Sequence, residues 1–385
     1  MKNNIEIGVY YFPNYHKDAR NAAWHGKDWT EWELVKLAKP RFPGHQQPKV
    51  PLWGYEDEAD PAVMGKKIDA AADAGITSFI FDWYWYNDGP YLQNCLEKGF
   101  LGALNTEKLK FALMWANHDW VDIHPAQRSV HSHGVNTLAA GMISEEAFVR
   151  ATDHMIQTYF CRPNYWRIDG GLYVSFYMIA GLIRSFGGAE NVQRALEDFR
   201  NRVRAAGLGE LHLNAVVWER EILPGEEGAG DVNALLKTMG FDSITSYVWM
   251  HNQTMEHFPF EDYAEYAKRN ACDYSKFTEQ YELPYFPNVS MGWDSSPRTC
   301  MSDRYDNIGY PFCPILQNNT PEEFGKALAR VKEFLATSSL KQKMFTINAW
   351  NEWTEGSYLE PDMIHGYGYL NAIKKTFKEG TLNEI

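Results

Sequence analysis

The stretch Ile5-Glu6-Ile7-Gly8-Val9-Tyr10-Tyr11-Phe12-Pro13-Asn14 reads as an apolar strand that runs straight into a proline turn. An open, doubly wound sheet would carry a glycine-rich phosphate turn at this point, and Phe12-Pro13-Asn14 offers none. Seven more β-like runs follow: Ser78–Tyr86, Lys110–Asn117, Gly171–Met178, His212–Glu219, Asp242–Trp249, Tyr285–Asp294 and Met344–Trp350. Helical patterns lie between them. Asp60-Pro61 is an N-cap with a first-turn proline, and Gly75 closes that helix. Ser144-Glu145-Glu146 begins another, Asn191–Ala206 carries apolar residues at helical spacing, and Thr320-Pro321-Glu322-Glu323 is a capping box before Phe324–Leu335. Asn94–Leu104, Asp231–Met239, Phe260–Ala271 and Tyr367–Phe377 complete the set. Strand and helix alternating eight times is the pattern of an α/β single (β/α)8 TIM barrel, one domain over residues 1–385. Several helix-to-strand links are brief, whereas most strand-to-helix links are long (13–59, 118–143, 250–259 and 295–319). That asymmetry places the elaborated face at the C-terminal ends of the strands, where barrel active sites sit.

Composition narrows the function. A net charge of −13 without basic runs argues against nucleic acid or anionic membrane as a partner. No window approaches a membrane span. The chain enters an apolar strand at Ile5 without a secretory segment before it, so the default expectation is cytoplasmic, or periplasmic had a signal been removed. Cys95, Cys161, Cys272, Cys300 and Cys313 are scattered and odd in number, which suggests reduced structural thiols with neither a disulfide framework nor a zinc site. No cofactor is implied, and the sequence assigns no oligomeric state. Aromatic residues make up 15% of the chain, with 14 Trp, more than a core requires. Sugar-binding clefts use such residues, because the C–H faces of pyranoses pack on indole rings.

The strand ends collect the chemistry. Tyr11 stands at the end of the first run, Asp82 and Trp83 at the second, Asn117 at the third, Trp218 and Glu219 at the fifth, and Tyr247 and Trp249 at the sixth. The last run opens into Trp350-Asn351-Glu352-Trp353-Thr354-Glu355-Gly356, two carboxylates three residues apart among two indoles and an amide. A lone E-x-x-E is usually a pair of solvated side chains on a turn. Here the indoles and the position just past a strand favour glycoside chemistry, in which one carboxyl handles a proton and the other meets the charge developing at the sugar. Crowding should raise the pKa of Glu355, while Glu352 stays ionised beside a polar partner, Asn351 or a rim tyrosine. The remaining residues are expected to line sugar subsites, where loss of Trp83 or Trp249 would raise KM. His118, Asp119, Asp122, His124, His131 and His133 cluster in one loop, but their spacing matches no H-E-x-x-H or facial-triad pattern, and no metal site is assigned.

Tyr10-Tyr11-Phe12-Pro13-Asn14-Tyr15-His16, Trp29-Thr30-Glu31-Trp32, Phe81-Asp82-Trp83-Tyr84 and the Trp350–Gly356 motif together resemble the WbsX-type proteins over nearly the whole chain. These are often labelled glycosyltransferases because they occur among O-antigen and lipopolysaccharide assembly genes. They are similar in turn to the endo-α-mannosidases of glycoside hydrolase family 99, which are (β/α)8 barrels. The resemblance implies that Glu352 deprotonates a sugar 2-hydroxyl, which attacks its own anomeric carbon to give a 1,2-anhydro intermediate. It also implies that Glu355 protonates the leaving oxygen and then activates water. A carbohydrate substrate is the implied partner. The alternatives are a glycosyltransferase, a non-catalytic carbohydrate-binding barrel and a metal-dependent hydrolase. No cluster of Arg or Lys at a strand end marks a nucleotide-sugar site.

Overall fold

The structure, a computed structural model, describes residues 5–126, 136–230 and 232–378. Eight strand positions run around a barrel in chain order: β1 (Glu6–Tyr11), β2 (Ser78–Tyr86), β3 (Lys110–Trp115), β4 (Gly171–Phe176), β5 (Leu211–Val216), β6 (Ser243–Thr245), β7 and β8 (Met344–Asn348). All pair in parallel, and β1 closes on β8 with Glu6 opposite Met344. The seventh position is split. Tyr285–Phe286 pairs with β6, Asn288–Ser290 pairs with β8, and Pro287, which has no N–H to give, stands between. Its carbonyl still accepts from the Thr346 amide at 2.8 Å.

The helices form where the caps were read. Asp60 accepts from the Ala62 amide, Ser144 from Ala147 and Thr320 from Glu323. They start the outer helices Pro61–Ala74, Glu145–Thr158 and Pro321–Thr337. The helix expected over 94–104 is instead a single π-type turn, Cys95–Phe100. The long link 13–59 contains two short helices, Ala19–His25 and Trp32–Leu37, that lack an extended apolar period and were not foreseen. Ile179–Phe186 adds a further helix after β4.

Side-chain parity sorts the core into two layers, since successive residues of a strand face opposite ways. Val9, Tyr11, Phe79, Phe81, Trp83, Leu113 and Trp115 face outward and pack beneath the helices. Tyr10, Ile80, Ala112, Met114, Tyr173 and Val216 face into the barrel. The barrel interior therefore mixes tyrosine rings with aliphatic side chains. No helix among the described residues is long and apolar enough to cross a membrane.

Candidate active site

Strand β8 delivers the acidic motif as a tight hairpin. Asn351–Glu352 pairs antiparallel with Ser357–Tyr358, a single 3₁₀ turn (Trp353–Glu355) joins them, and Gly356 closes it at φ 63°. A Cβ at Gly356 would stand 2.6 Å from Asp294 Cβ, so the left-handed conformation and the close approach both require glycine. Gly356→Ala should cost at least ~1–2 kcal/mol from the backbone alone, lowering the midpoint of thermal unfolding and the activity together. The indoles beside the carboxylates are anchors. Trp350 and Trp353 are buried and donate their Nε1–H to the two oxygens of Glu360, at 2.9 and 2.7 Å. Glu360 in turn pairs with buried Lys67 at 2.6 Å. The Trp353 ring also stacks on Tyr358, with centroids 3.7 Å apart.

Glu352 and Glu355 face one guanidinium. Arg298, on the one-turn helix Ser296–Thr299 beyond β7, donates to Glu352 Oε1 and to Glu355 Oε1, both at 2.9 Å. It also donates to Glu31 Oε1 at 3.1 Å through Nη2, and its Nε reaches Thr354 Oγ1 at 3.2 Å. Tyr310 donates its hydroxyl to Glu355 Oε1 at 2.5 Å. All of these side chains are buried. One arginine thus meets three carboxylates. Burial raises both carboxyls above their ordinary range against the opposing charge of Arg298, and Glu352, with Glu355 adding repulsion, is held well above it. The expected polar partner of Glu352 is therefore Arg298, not Asn351 or a tyrosine. Glu355 has two donors where Glu352 has one.

The cleft that the pair lines spans about 690 Å³, open solvent included. Asp82, Tyr247, Glu352 and Glu355 all line it, together with Phe12, Tyr84, Trp120, Tyr177, Trp293 and Arg298. Asp82 accepts from Tyr247 at 2.9 Å through Oδ2, while Oδ1 is buried without a hydrogen-bond partner. Burial pushes the Asp82 carboxyl well up, against the Tyr247 bond and with the charge of Glu355.

The other expected subsite residues lie elsewhere, and strand parity explains Tyr11 and Trp83. Tyr11 points outward and donates to Glu58 at 2.8 Å. Trp83 points outward, stacks on Trp85 and donates to Tyr159 at 3.3 Å. Trp249 turns under the following helix and donates to the Asn288 carbonyl at 2.9 Å. Asn117 bonds the backbone of Met178 in both directions at 2.8 Å. Trp218 stacks behind His251 at 5.0 Å, and exposed Glu219 pairs with Lys276 at 2.6 Å. Asn351 ties the hairpin to Phe12, accepting from its amide at 2.8 Å and donating to its carbonyl at 2.7 Å. For these residues we expect losses of stability, not of affinity. Trp83→Ala should cost ~3–5 kcal/mol of folding free energy in denaturant titration, with KM unchanged in the fraction that stays folded.

Of the loop residues weighed for a metal, His118, Asp119 and His124 line the cleft, and His131 and His133 lie outside the described residues. No group of three His, Cys, Asp or Glu side chains among the described residues is arranged to hold an ion. Sequence reasoning missed Arg298, Tyr310 and Glu31. Arg298 and Tyr310 sit in an aperiodic loop and gave no signal. Glu31 had one: Trp29-Thr30-Glu31-Trp32 sets an acid between indoles, as strand eight does.

Comparison with known proteins matches this architecture. The chain is 30% identical over 374 residues to the uncharacterized protein WxcX of Xanthomonas campestris pv. campestris strain B100, covering 95% of this chain and 49% of that protein. It thus spans about half the length of the curated relatives it matches. Among solved structures, a glycoside hydrolase-like protein superposes with a TM-score of 0.62 at 16% identity, over 98% of this chain and 95% of that one. The family 99 endo-α-mannosidase of Bacteroides thetaiotaomicron, in complex with bis-tris propane, superposes at 0.58 and 12% identity, over 97% and 96%. A family 1 β-glucosidase from Thermotoga maritima superposes at 0.51 and 12% identity, over 98% and 99%. These likenesses show the barrel fold alone. Residues 7–373 match the family model described as glycosyltransferase WbsX, and the chain belongs to that family.

Proposed function

We propose that this chain is a glycoside hydrolase that cleaves a poly- or oligosaccharide with net retention, using Glu352 and Glu355 as its paired carboxyls. The observation that carries the reading is the Arg298 bridge, which holds both carboxyls buried against one guanidinium in the lining of one cleft. A binding module has no use for that arrangement, since crowding two acids costs stability. The bridge also bears on the transferase reading. Among the described residues, Arg298 is the one Arg or Lys that lines the cleft, and carboxylates engage it from three sides. A nucleotide diphosphate there would meet acids rather than free cations.

In the reaction, Glu352 takes the proton of the sugar 2-hydroxyl as that oxygen closes on the anomeric carbon, and Glu355 gives its proton to the departing oxygen. Water, deprotonated by Glu355, then attacks the anomeric carbon and breaks its bond to O2 while Glu352 returns its proton to O2, so two displacements leave the anomeric configuration unchanged. This chemistry requires a manno-like arrangement at C1 and C2. A second assignment, with the two roles exchanged, is favoured by the donor count: Tyr310 and Arg298 both stabilise an ionised Glu355, and Arg298 alone serves Glu352. Incubating the protein with bacterial surface and plant-wall glycans and assaying new reducing ends, beside calorimetry with UDP-, GDP- and dTDP-sugars, tests the class. New reducing ends without nucleotide-sugar binding are expected; tight nucleotide-sugar binding with no cleavage would replace the hydrolase by a transferase.

A further inference from the structure

Arg298 engages a third carboxylate to which the reaction gives no part. Glu31 is buried at the start of the short helix Trp32–Leu37 and is not among the residues that line the cleft. Its Oε1 accepts from Arg298 Nη2 at 3.1 Å and from Nε at 3.3 Å, and it takes the hydroxyl of Thr354, which stands between the two acids of the hairpin. The same Nη2 donates to Glu352 Oε1 at 2.9 Å. The two oxygens therefore lie within about 6 Å of each other, where one buried charge moves the titration of another by roughly one to two pH units.

The other oxygen of Glu31 is held by neutral groups. Its Oε2 accepts from Asn14 Nδ2 at 2.5 Å, Asn14 Oδ1 accepts from Asn21 Nδ2 at 2.7 Å, and Asn21 Oδ1 takes the Tyr91 hydroxyl at 2.5 Å. Among the described residues, Arg298 is the one Arg or Lys paired with Glu31. His124 Nε2 stands 4.0 Å from Glu31 Oε1, but burial, with the charge of Arg298, keeps that ring well below the ordinary histidine range, and burial lowers His25 as well. Burial pushes Tyr15 and Tyr310 well above the ordinary phenol range. From the cleft, Asp82 faces Glu352 and His251 faces Glu355. Burial holds both carboxyls of the pair above their ordinary range; Arg298 opposes it, and the charge of Glu31 adds to the rise at each.

We propose that Glu31 is a positioning residue of the reaction, engaging part of the Arg298 charge so that one carboxyl of the Glu352–Glu355 pair keeps the proton it delivers to the leaving oxygen. This rests on the hydrolase reading of the cleft. Arg298 without Glu31 favours ionisation of both acids. A pair with no proton can take one from the 2-hydroxyl but has none to give the leaving group. Glu31→Gln separates charge from contact. Glutamine keeps an oxygen for Arg298 and Thr354, and its amide fits once Asn14 and Asn21 turn over, because the Tyr91 hydroxyl that ends the chain accepts as readily as it donates.

A titration without substrate keeps this separate from the hydrolase reading. Carbon-13 NMR of protein labelled at the glutamate carboxyls follows the pair, its signals assigned by their loss in Glu352→Gln and Glu355→Gln. In Glu31→Gln the upper midpoint of the pair should fall by ~1–2 pH units. In Glu31→Asp, which withdraws the charge from Arg298 by one methylene, it should fall by less; this variant decides the matter should Glu31→Gln not fold. The basic limb of kcat/KM, on a glycan or aryl glycoside that the wild type cleaves, should move to lower pH with the midpoint. A lowered midpoint in a protein that cleaves nothing upholds the effect of Glu31 on the pair and counts against the hydrolase. A purely structural Glu31 would cost stability in both variants and leave the midpoint in place. A midpoint unmoved or raised, or a basic limb that stays put in an enzyme that cleaves, overturns the proposal.

Discussion

Glu352→Gln should be inactive on every substrate, and Glu355→Gln should lose ~10²–10⁴-fold in kcat on natural linkages yet recover part of that loss on aryl glycosides with good leaving groups. The asymmetry follows from where each proton goes. Glu355 gives its proton to the leaving oxygen, so a departing aryloxide that needs none relieves the defect. Glu352 takes its proton from the sugar 2-hydroxyl, and no leaving group replaces that step. Steady-state kinetics of both variants on a natural-type linkage and on a nitrophenyl glycoside checks this. Rescue of Glu352→Gln instead would exchange the two roles, the assignment that the Tyr310 bond favours. Near-normal turnover by both variants would place the chemistry elsewhere on the rim.

Arg298→Met should be the most destabilising single change in the site. It removes the counter-charge of three buried carboxylates at once, and breaking a buried ion pair from one side typically costs ~3–5 kcal/mol. Arg298→Lys keeps the charge but not the planar fork that reaches Glu352 and Glu355 simultaneously, so it should recover only part of the stability and little of the activity. The pH dependence has a definite sign. Burial raises the carboxyls of Glu352 and Glu355 in the folded protein while Arg298 pulls them down, so its loss raises them further. A carboxyl with a raised folded pKa contributes stability that is fully present below its unfolded value of ~4.3 and is lost as pH rises through the folded one. Urea titrations of Arg298→Met from acid to neutral pH should therefore show stability falling with pH more steeply than in the wild type. A variant of wild-type stability and unchanged pH slope would mean that the guanidinium does not compensate the acids.

Much of the fold was legible because barrels repeat themselves. Each strand announced itself as an apolar run, and the caps at Asp60, Ser144 and Thr320 marked helix starts to within a residue or two. The site was only half legible. Position at a strand end does not say which way a side chain points; parity does. In Phe79-Ile80-Phe81-Asp82-Trp83-Tyr84 the large apolar residues at 79, 81 and 83 belong to the outer layer, and Asp82 and Tyr84 to the barrel interior. Counting by two from Asp82 would have removed Trp83 from the subsites on sequence alone, and Tyr11 likewise falls on the face shared by Ile7 and Val9. Arg298 and Tyr310 had no such signal. They come from a loop without period, and what makes them important is a meeting with Glu31 across 267 residues, set by tertiary structure.

The most direct measurement is the anomeric configuration of the first product, followed by proton NMR during cleavage of an α-linked manno-configured oligosaccharide. Paired displacements at Glu352 and Glu355 should release the α-anomer first, with the β-anomer growing in later by mutarotation. Release of the β-anomer first would mean a single displacement by water and would contradict the 1,2-anhydro pathway built on this glutamate pair.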